Sequence, residues 1–291
     1  MNNRKIEIRL EKEFIPLPNS AYTKIIIAGK TTELRTWKYK PNTAGLKSIK
    51  RLKGNVYVNT ETGEVLPYNK VLPREKNPHL KETLNKIGRY IEANFYDGGL
   101  FITLTYNETM TDIRKAKLDI QDFIRKLKKI YKNVMYLWVL EPKASGSWHY
   151  HILVKQAEIT EKELSELWVH GSVNIKNIYD VKGLACYLAP KYIANDEDVS
   201  SLNDTDEGGD IIVLSKVKNK SERLKFYPPC ERIYGKSNNI KKWIEKDSNR
   251  GEAETDVRNQ KKTEACTLYM FDINVDIEQC INQLNIERYI N

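Results

Sequence analysis

The chain has 291 residues, 40% hydrophobic and 30% charged, enough apolar side chain for one large or two modest cores and a composition that excludes a fibrous or wholly disordered protein. Its 48 lysines and arginines against 39 acidic residues give a net charge of +9, an excess that points to an anionic partner. The richest apolar runs, Ile25 to Ala28 and Met135 to Leu140, are too short to span a bilayer, and Met1 to Glu7 has no apolar signal core, so the expected location is the cytoplasm with no membrane partner.

In chain order, Lys38, Lys40, Lys47, Lys50, Arg51 and Lys53 crowd the N-terminal part, and Asn55 to Asn59 reads as a strand that extends a central sheet. Leu100 to Tyr106 reads as a strand entered through Asp97, Gly98 and Gly99. Apolar residues at Ile113, Ala116, Ile120, Ile124 and Leu127 then recur at helical spacing from about Asp112 to Tyr131. That helix ends in a basic cluster from which Arg125, Lys128 and Lys132 are candidate contacts to a phosphate backbone. Tyr136 to Leu140 and Trp148 to Val154 form a hairpin across the turn residues 143–147. Thr160, with Glu163 three residues on, opens a helix through Trp168, and Ser172 to Ile178 is the next strand. The order strand, helix, strand, strand, helix, strand is the split βαβ arrangement: an α+β fold in which an antiparallel sheet carries helices on one face.

Asp180 to Ile193 reads as a further helix, kinked at Pro190. Acidic residues from Asp196 to Asp210, interleaved with serine and glycine, read as a surface loop. Ile277 to Ile290 carries apolar residues at helical spacing, either a core helix or a homodimer contact. The expected organisation is an N-terminal extension over 1–95 packed on the core, a core over 96–195, a loop over 196–222 and a C-terminal extension over 223–291. Cys186, Cys230, Cys266 and Cys280 form no Cys-x-x-Cys pair and read as reduced, mostly buried thiols. His79 and His170 fall at element ends with no metal-like spacing.

The chemistry concentrates at Trp148-His149-Tyr150-His151. Side chains alternate across a strand, so both imidazoles leave one face a few ångströms apart. Glu141, at the end of the preceding strand, can lie opposite them across the ladder. Two imidazoles and one carboxylate suit Mn²⁺ or Mg²⁺ with open positions for substrate better than a closed structural zinc. The same donors could hold Fe(II), but a basic surface has no place in oxygen chemistry. On the following helix Tyr187 and Lys191 lie one turn apart, and the kink leaves Tyr192 as the alternative that turns toward the metal.

Phe101-Ile102-Thr103-Leu104-Thr105, then Glu141 eight residues before His149-Tyr150-His151, then Tyr187 with Lys191, resemble in order and spacing the HUH endonuclease superfamily, in particular the rolling-circle replication initiators of plasmids, integrative elements and small single-stranded DNA viruses. Weaker flanking matches are Gly63-Glu64-Val65, Ala93-Asn94-Phe95 and Arg223 to Pro229. Many relatives place the lysine three residues after the tyrosine; here the interval is four. The resemblance implies a ferredoxin-like core and a metal at Glu141, His149 and His151. It implies nicking of single-stranded or hairpin origin DNA by Tyr187, or by Tyr192, through a 5′-phosphotyrosyl intermediate, with Lys191 offsetting charge. Relaxases commonly carry a third histidine and an early tyrosine, so Glu141 and a late tyrosine favour the initiators; a non-enzymatic DNA-binding module of the same fold is the contrasting reading. No Gly-x-x-x-x-Gly-Lys-Ser/Thr segment exists in the sequence, so unwinding is expected of a host helicase and extension of a host polymerase.

Overall fold

A computed structural model describes residues 6–11, 13–41, 49–52, 56–59, 63, 65–67, 78–96, 98–155, 158–188, 226–228, 231–272 and 279–291. The described elements are β1 (Ile6–Glu11), β2 (Tyr22–Ala28), β3 (Thr31–Trp37), β4 (Ile49–Leu52), β5 (Val56–Asn59), β6 (Val65–Pro67), α1 (Pro78–Asn94), β7 (Leu100–Tyr106), α2 (Ile113–Ile130), β8 (Tyr136–Pro142), β9 (Trp148–Val154), α3 (Glu161–Leu167), β10 (Gly171–Asn177), α4 (Val181–Leu188), β11 (Tyr234–Lys236), β12 (Ile244–Asn249), α5 (Arg250–Val257), β13 (Lys261–Asp272) and β14 (Gln279–Ile290). They fall into two compact units, one of residues 1–26, 33–72 and 245–291, the other of 27–32 and 73–244. Residues 1–95 and 223–291, each read from sequence as one extension, contribute to both units.

The second unit is an α+β fold around a five-stranded sheet of order β10-β7-β9-β8-β11, whose register-defined pairs are all antiparallel. Local chemistry sets its helices. Asp112 caps α2 by accepting from the backbone N–H groups of Arg114 and Lys115, and Thr160 with Glu163 forms a complete capping box on α3. The apolar stripe of α2, Ala116, Ile120, Phe123, Ile124 and Leu127, is buried, and each such large side chain contributes about 1.5–3 kcal/mol. With Trp168 at the end of α3, which packs edge-on to Phe123, Tyr106 and Tyr150, these residues cover one face of the sheet. The two crossover helices of the split βαβ unit thus share a face, as expected. The entry to β7 depends on Gly99, whose φ is +140° and where a Cβ would stand 2.8 Å from the Val154 carbonyl oxygen.

The opposite face is framed by α4, whose Tyr187 ring meets Phe101 and His151, and by α1, whose Tyr90 packs against Tyr234 of β11. Asp180 caps α4 through the Gly183 N–H at 2.8 Å. α4 is described to Leu188; Pro190, Lys191, Tyr192 and the acidic stretch Asp196 to Asp210 lie outside the described residues.

The first unit holds a six-stranded sheet of order β1-β13-β14-β3-β2-β12 and a three-stranded sheet of order β4-β5-β6. Two expectations are corrected here. Residues 56–59 do not extend the central sheet but pair with β4 and β6, their neighbours in sequence, since a short loop closes at a smaller entropy cost than a long one. The segment read as a helix from Ile277 to Ile290 is the strand β14 between β13 and β3. Its residues Leu284, Ile286 and Ile290 also fit period two, and the long ladder with β13 decides between the two readings. Of the four cysteines, Cys280 is exposed and Cys266 half-buried, both free thiols, so the buried placement expected for them does not hold.

Candidate active site and metal centre

The site is built on the middle of the sheet. His149 and His151 alternate along β9 and leave the same face, and the antiparallel register sets Glu141 of β8 directly opposite His149. The turn that fixes this register is tight: the Lys143 N–H donates to the Ser147 carbonyl at 2.8 Å, the Gly146 N–H donates to the Lys143 carbonyl at 2.9 Å, and Gly146 has φ +81°.

Glu141, His149 and His151 are all buried. Among the described residues they are the one group of histidine, cysteine and acidic side chains whose ligand atoms converge, within 4.8 Å of one another. The two Nε2 atoms stand 3.0 Å apart, Glu141 Oε2 is 3.0 Å from His151 Nε2, and it is 4.0 Å from His149 Nε2. The point equidistant from these three atoms lies about 2.0 Å from each, the ligand distance of a small divalent cation bound by nitrogen and oxygen. Lone pairs aimed at one point inside a protein repel unless positive charge lies between them. The residues therefore fit a divalent metal.

Two neighbours orient His151. Its Nδ1 lies 3.2 Å from Thr103 Oγ1, directly across the β7–β9 ladder. With Nδ1–H donating to that hydroxyl, the Nε2 lone pair faces the other donors. The Phe101 ring stacks on the imidazole with centroids 5.0 Å apart and planes inclined by 16°, fixing its tilt. Of these, Thr103 stood in the sequence reading as a residue shaping the sheet beneath the site, and Phe101 only as part of the strand motif. Tyr227 fell there only within a flanking match, with no role. Its hydroxyl donates to the Leu140 carbonyl at 3.0 Å and its ring packs on Trp148, so it braces the hairpin beside both Glu141 and His149. The paired aromatics of Phe226 and Tyr227 were the available signal, but partners so distant in sequence leave no periodicity.

Tyr187 is brought to the site. It is half-buried on α4, with its ring edge-on to His151 at 5.7 Å between centroids and inclined by 72°. Arg125, Lys128 and Lys132 are not: Arg125 pairs with Asp122, Lys128 sits over the Tyr136 ring, and α2 covers the sheet face opposite the histidines. His170 stands with Asp119 and Tyr106 on that same opposite face. His79 is the second residue of α1.

A sheet with two histidines on alternate positions of one strand, a carboxylate across the ladder and a tyrosine-bearing helix against them defines the HUH core of rolling-circle replication initiators. Residues 99–197 match the model of a family described as replication-associated protein ORF2, and over those residues the chain belongs to that family. No curated protein matches the chain. Among solved structures, the N-terminal nuclease domain of non-structural protein 1 of minute virus of mice aligns at 10% identity over 80% of this chain and 74% of that one, with a TM-score of 0.16, a value that lends no weight to fold or chemistry. Among the described residues no helix is long and apolar enough to cross a membrane.

Proposed function

We propose that this protein is a metal-dependent tyrosine endonuclease and strand transferase that nicks single-stranded or hairpin origin DNA and starts rolling-circle replication. The observation that carries this reading is the convergence of Glu141, His149 and His151 beside Tyr187. When bound, Mn²⁺ or Mg²⁺ supplies a Lewis acid that polarises the scissile phosphate. Glu141, His149 and His151 hold it, and three protein donors leave coordination positions for phosphate oxygens. Thr103 keeps the proton of His151 on Nδ1, and Phe101 keeps that ring in plane.

Tyr187 Oη attacks phosphorus and loses its proton; the bond from phosphorus to the 3′ oxygen breaks, and that oxygen takes up a proton. The products are a 5′-phosphotyrosyl protein and a free 3′-hydroxyl that primes a host polymerase. The phosphodiester energy is conserved in the covalent link, so rejoining needs no ATP. Lys191 offsets the charge of the attacking and pentacoordinate oxygens, and Tyr192 is the alternative nucleophile. A host helicase unwinds the duplex, and the work takes place in the cytoplasm.

The test is covalent capture. Protein, Mn²⁺ and single-stranded oligonucleotides tiling the DNA that flanks its gene are run on a denaturing gel, beside Tyr187→Phe and Tyr192→Phe. A metal-dependent adduct lost with Tyr187→Phe is the expected result. Loss only with Tyr192→Phe transfers the nucleophile, and no adduct with any metal or oligonucleotide, despite DNA binding, sinks the enzyme in favour of a binding module of the same fold.

A further inference from the structure

The sheet face that carries the triad also carries a cluster of aromatic and basic side chains that the chemistry above does not use. In β11, Tyr234 pairs with Val139 and Lys236 with Leu137, and Val139 in turn pairs with His151. Tyr234 is therefore level with His151 and two strands away, about 10 Å along the sheet. Around it stand Tyr90 of α1, with ring centroids 6.3 Å apart, and Trp243, edge-on to Tyr90 at 5.0 Å.

Each indole or phenol face in this cluster holds a cation. Arg89 and Lys242 lie 5.4 Å from the Trp243 centroid, and Lys236 Nζ lies 5.1 Å from that of Tyr90. Three cations gathered in so small an area repel one another, and the aromatic faces hold them in place rather than discharge them. Such an array lowers its energy by taking up several anionic groups spaced along a line. Half-buried Tyr90 and Tyr234 add ring edges and faces that a duplex, whose bases are stacked inside, has no means to use.

We propose that Tyr90, Tyr234, Trp243, Arg89, Lys236 and Lys242 form a platform that binds single-stranded DNA one to two nucleotides from the scissile phosphate. The cations contact the backbone and the tyrosines stack on bases. This rests on the nuclease reading for what lies at its far end, but the binding itself requires neither metal nor nicking. Arg125, Lys128 and Lys132, on the opposite sheet face, are not part of it.

The experiment is fluorescence anisotropy with a labelled single-stranded oligonucleotide and a duplex of equal length, with EDTA present, across a series of salt concentrations. The proteins are wild type, Arg89→Gln/Lys236→Gln/Lys242→Gln, and Lys242→Glu, whose exposed site tolerates charge reversal if the triple variant fails to fold. Three lost phosphate contacts lower the salt slope for single strands by about 2 and weaken binding about 100-fold at 0.1 M salt. The single reversal is expected to weaken it at least fivefold, with duplex binding changed less in both. Unchanged affinity and slope in a folded variant overturn the platform, and an equal loss for duplex overturns the single-strand assignment. Because the readout is binding without chemistry, absence of a covalent adduct in the capture assay sinks the nuclease and leaves this result standing.

Discussion

Replacing Thr103 with valine isolates how the protein prepares His151 for a metal. The two side chains have nearly the same shape, and both favour a strand, so β7 and its pairing with β9 are kept. What is lost is the hydroxyl 3.2 Å from His151 Nδ1. In the wild type a proton on Nδ1 has a partner, and Nε2 is left bare for the ion. In the variant that proton has none, so the imidazole shifts toward the tautomer that carries it on Nε2, where it blocks coordination. Loss of a partner of this kind typically costs 10- to 100-fold in metal affinity, about 1.4–2.7 kcal/mol. The Phe101 stack survives the change and still holds the ring plane, which places the expected effect near tenfold. Titration calorimetry with Mn²⁺ on both proteins measures it, and adduct yield at saturating Mn²⁺ should recover most of the wild-type value. A Kd within twofold of wild type in the folded variant would refute the claim that Thr103 sets the tautomer.

Glu141→Gln keeps the side chain's size but removes the anionic donor, and Mn²⁺ binding should fall at least 100-fold while thermal stability holds or rises, since a buried carboxylate is relieved; the same calorimetry with a thermal melt checks it. Tyr227→Phe deletes one buried hydrogen bond to the Leu140 carbonyl, about 1 kcal/mol, which for a unit of this size lowers Tm by about 2–4 °C in a calorimetric scan. Gly99→Ala forces a Cβ against the Val154 carbonyl at a positive φ and should lower Tm by more than Tyr227→Phe does. The Tyr22 phenol is pushed up to about 12, first by burial and then by its hydrogen bond to Asp247. A raised folded-state value means its contribution is complete below the unfolded value near 10 and is lost as pH rises through 12, so Tyr22→Phe should flatten the stability profile between pH 10 and 12 in denaturant titrations.

The local rules of the chain were legible in its sequence. Period two in Trp148 to Val154 placed both histidines on one face, the spacing of Ile113 to Leu127 produced α2 with its Asp112 cap, and Thr160 with Glu163 marked the start of α3. These depend on neighbours within a turn or a pleat, so a linear pattern carries them. Period alone misread β14, because Leu284, Ile286 and Ile290 satisfy a strand while Ile277, Ile281 and Leu284 satisfy a helix, and only the ladder with β13 separates the two. Likewise the residues 56–59 announced a strand without naming its partner.

At the site, sequence supplied the donors and tertiary structure supplied their convergence. That Glu141 faces His149 follows from the register of one hairpin, which its turn residues could suggest. That Phe101 stacks on His151, that Tyr227 braces Leu140, and that Tyr90, Lys236 and Trp243 gather on the histidine face follow from contacts between segments far apart along the chain. Such contacts leave no repeat to read, because a sheet's side-chain period is a property of each strand while the order of its strands is settled by packing of the whole core.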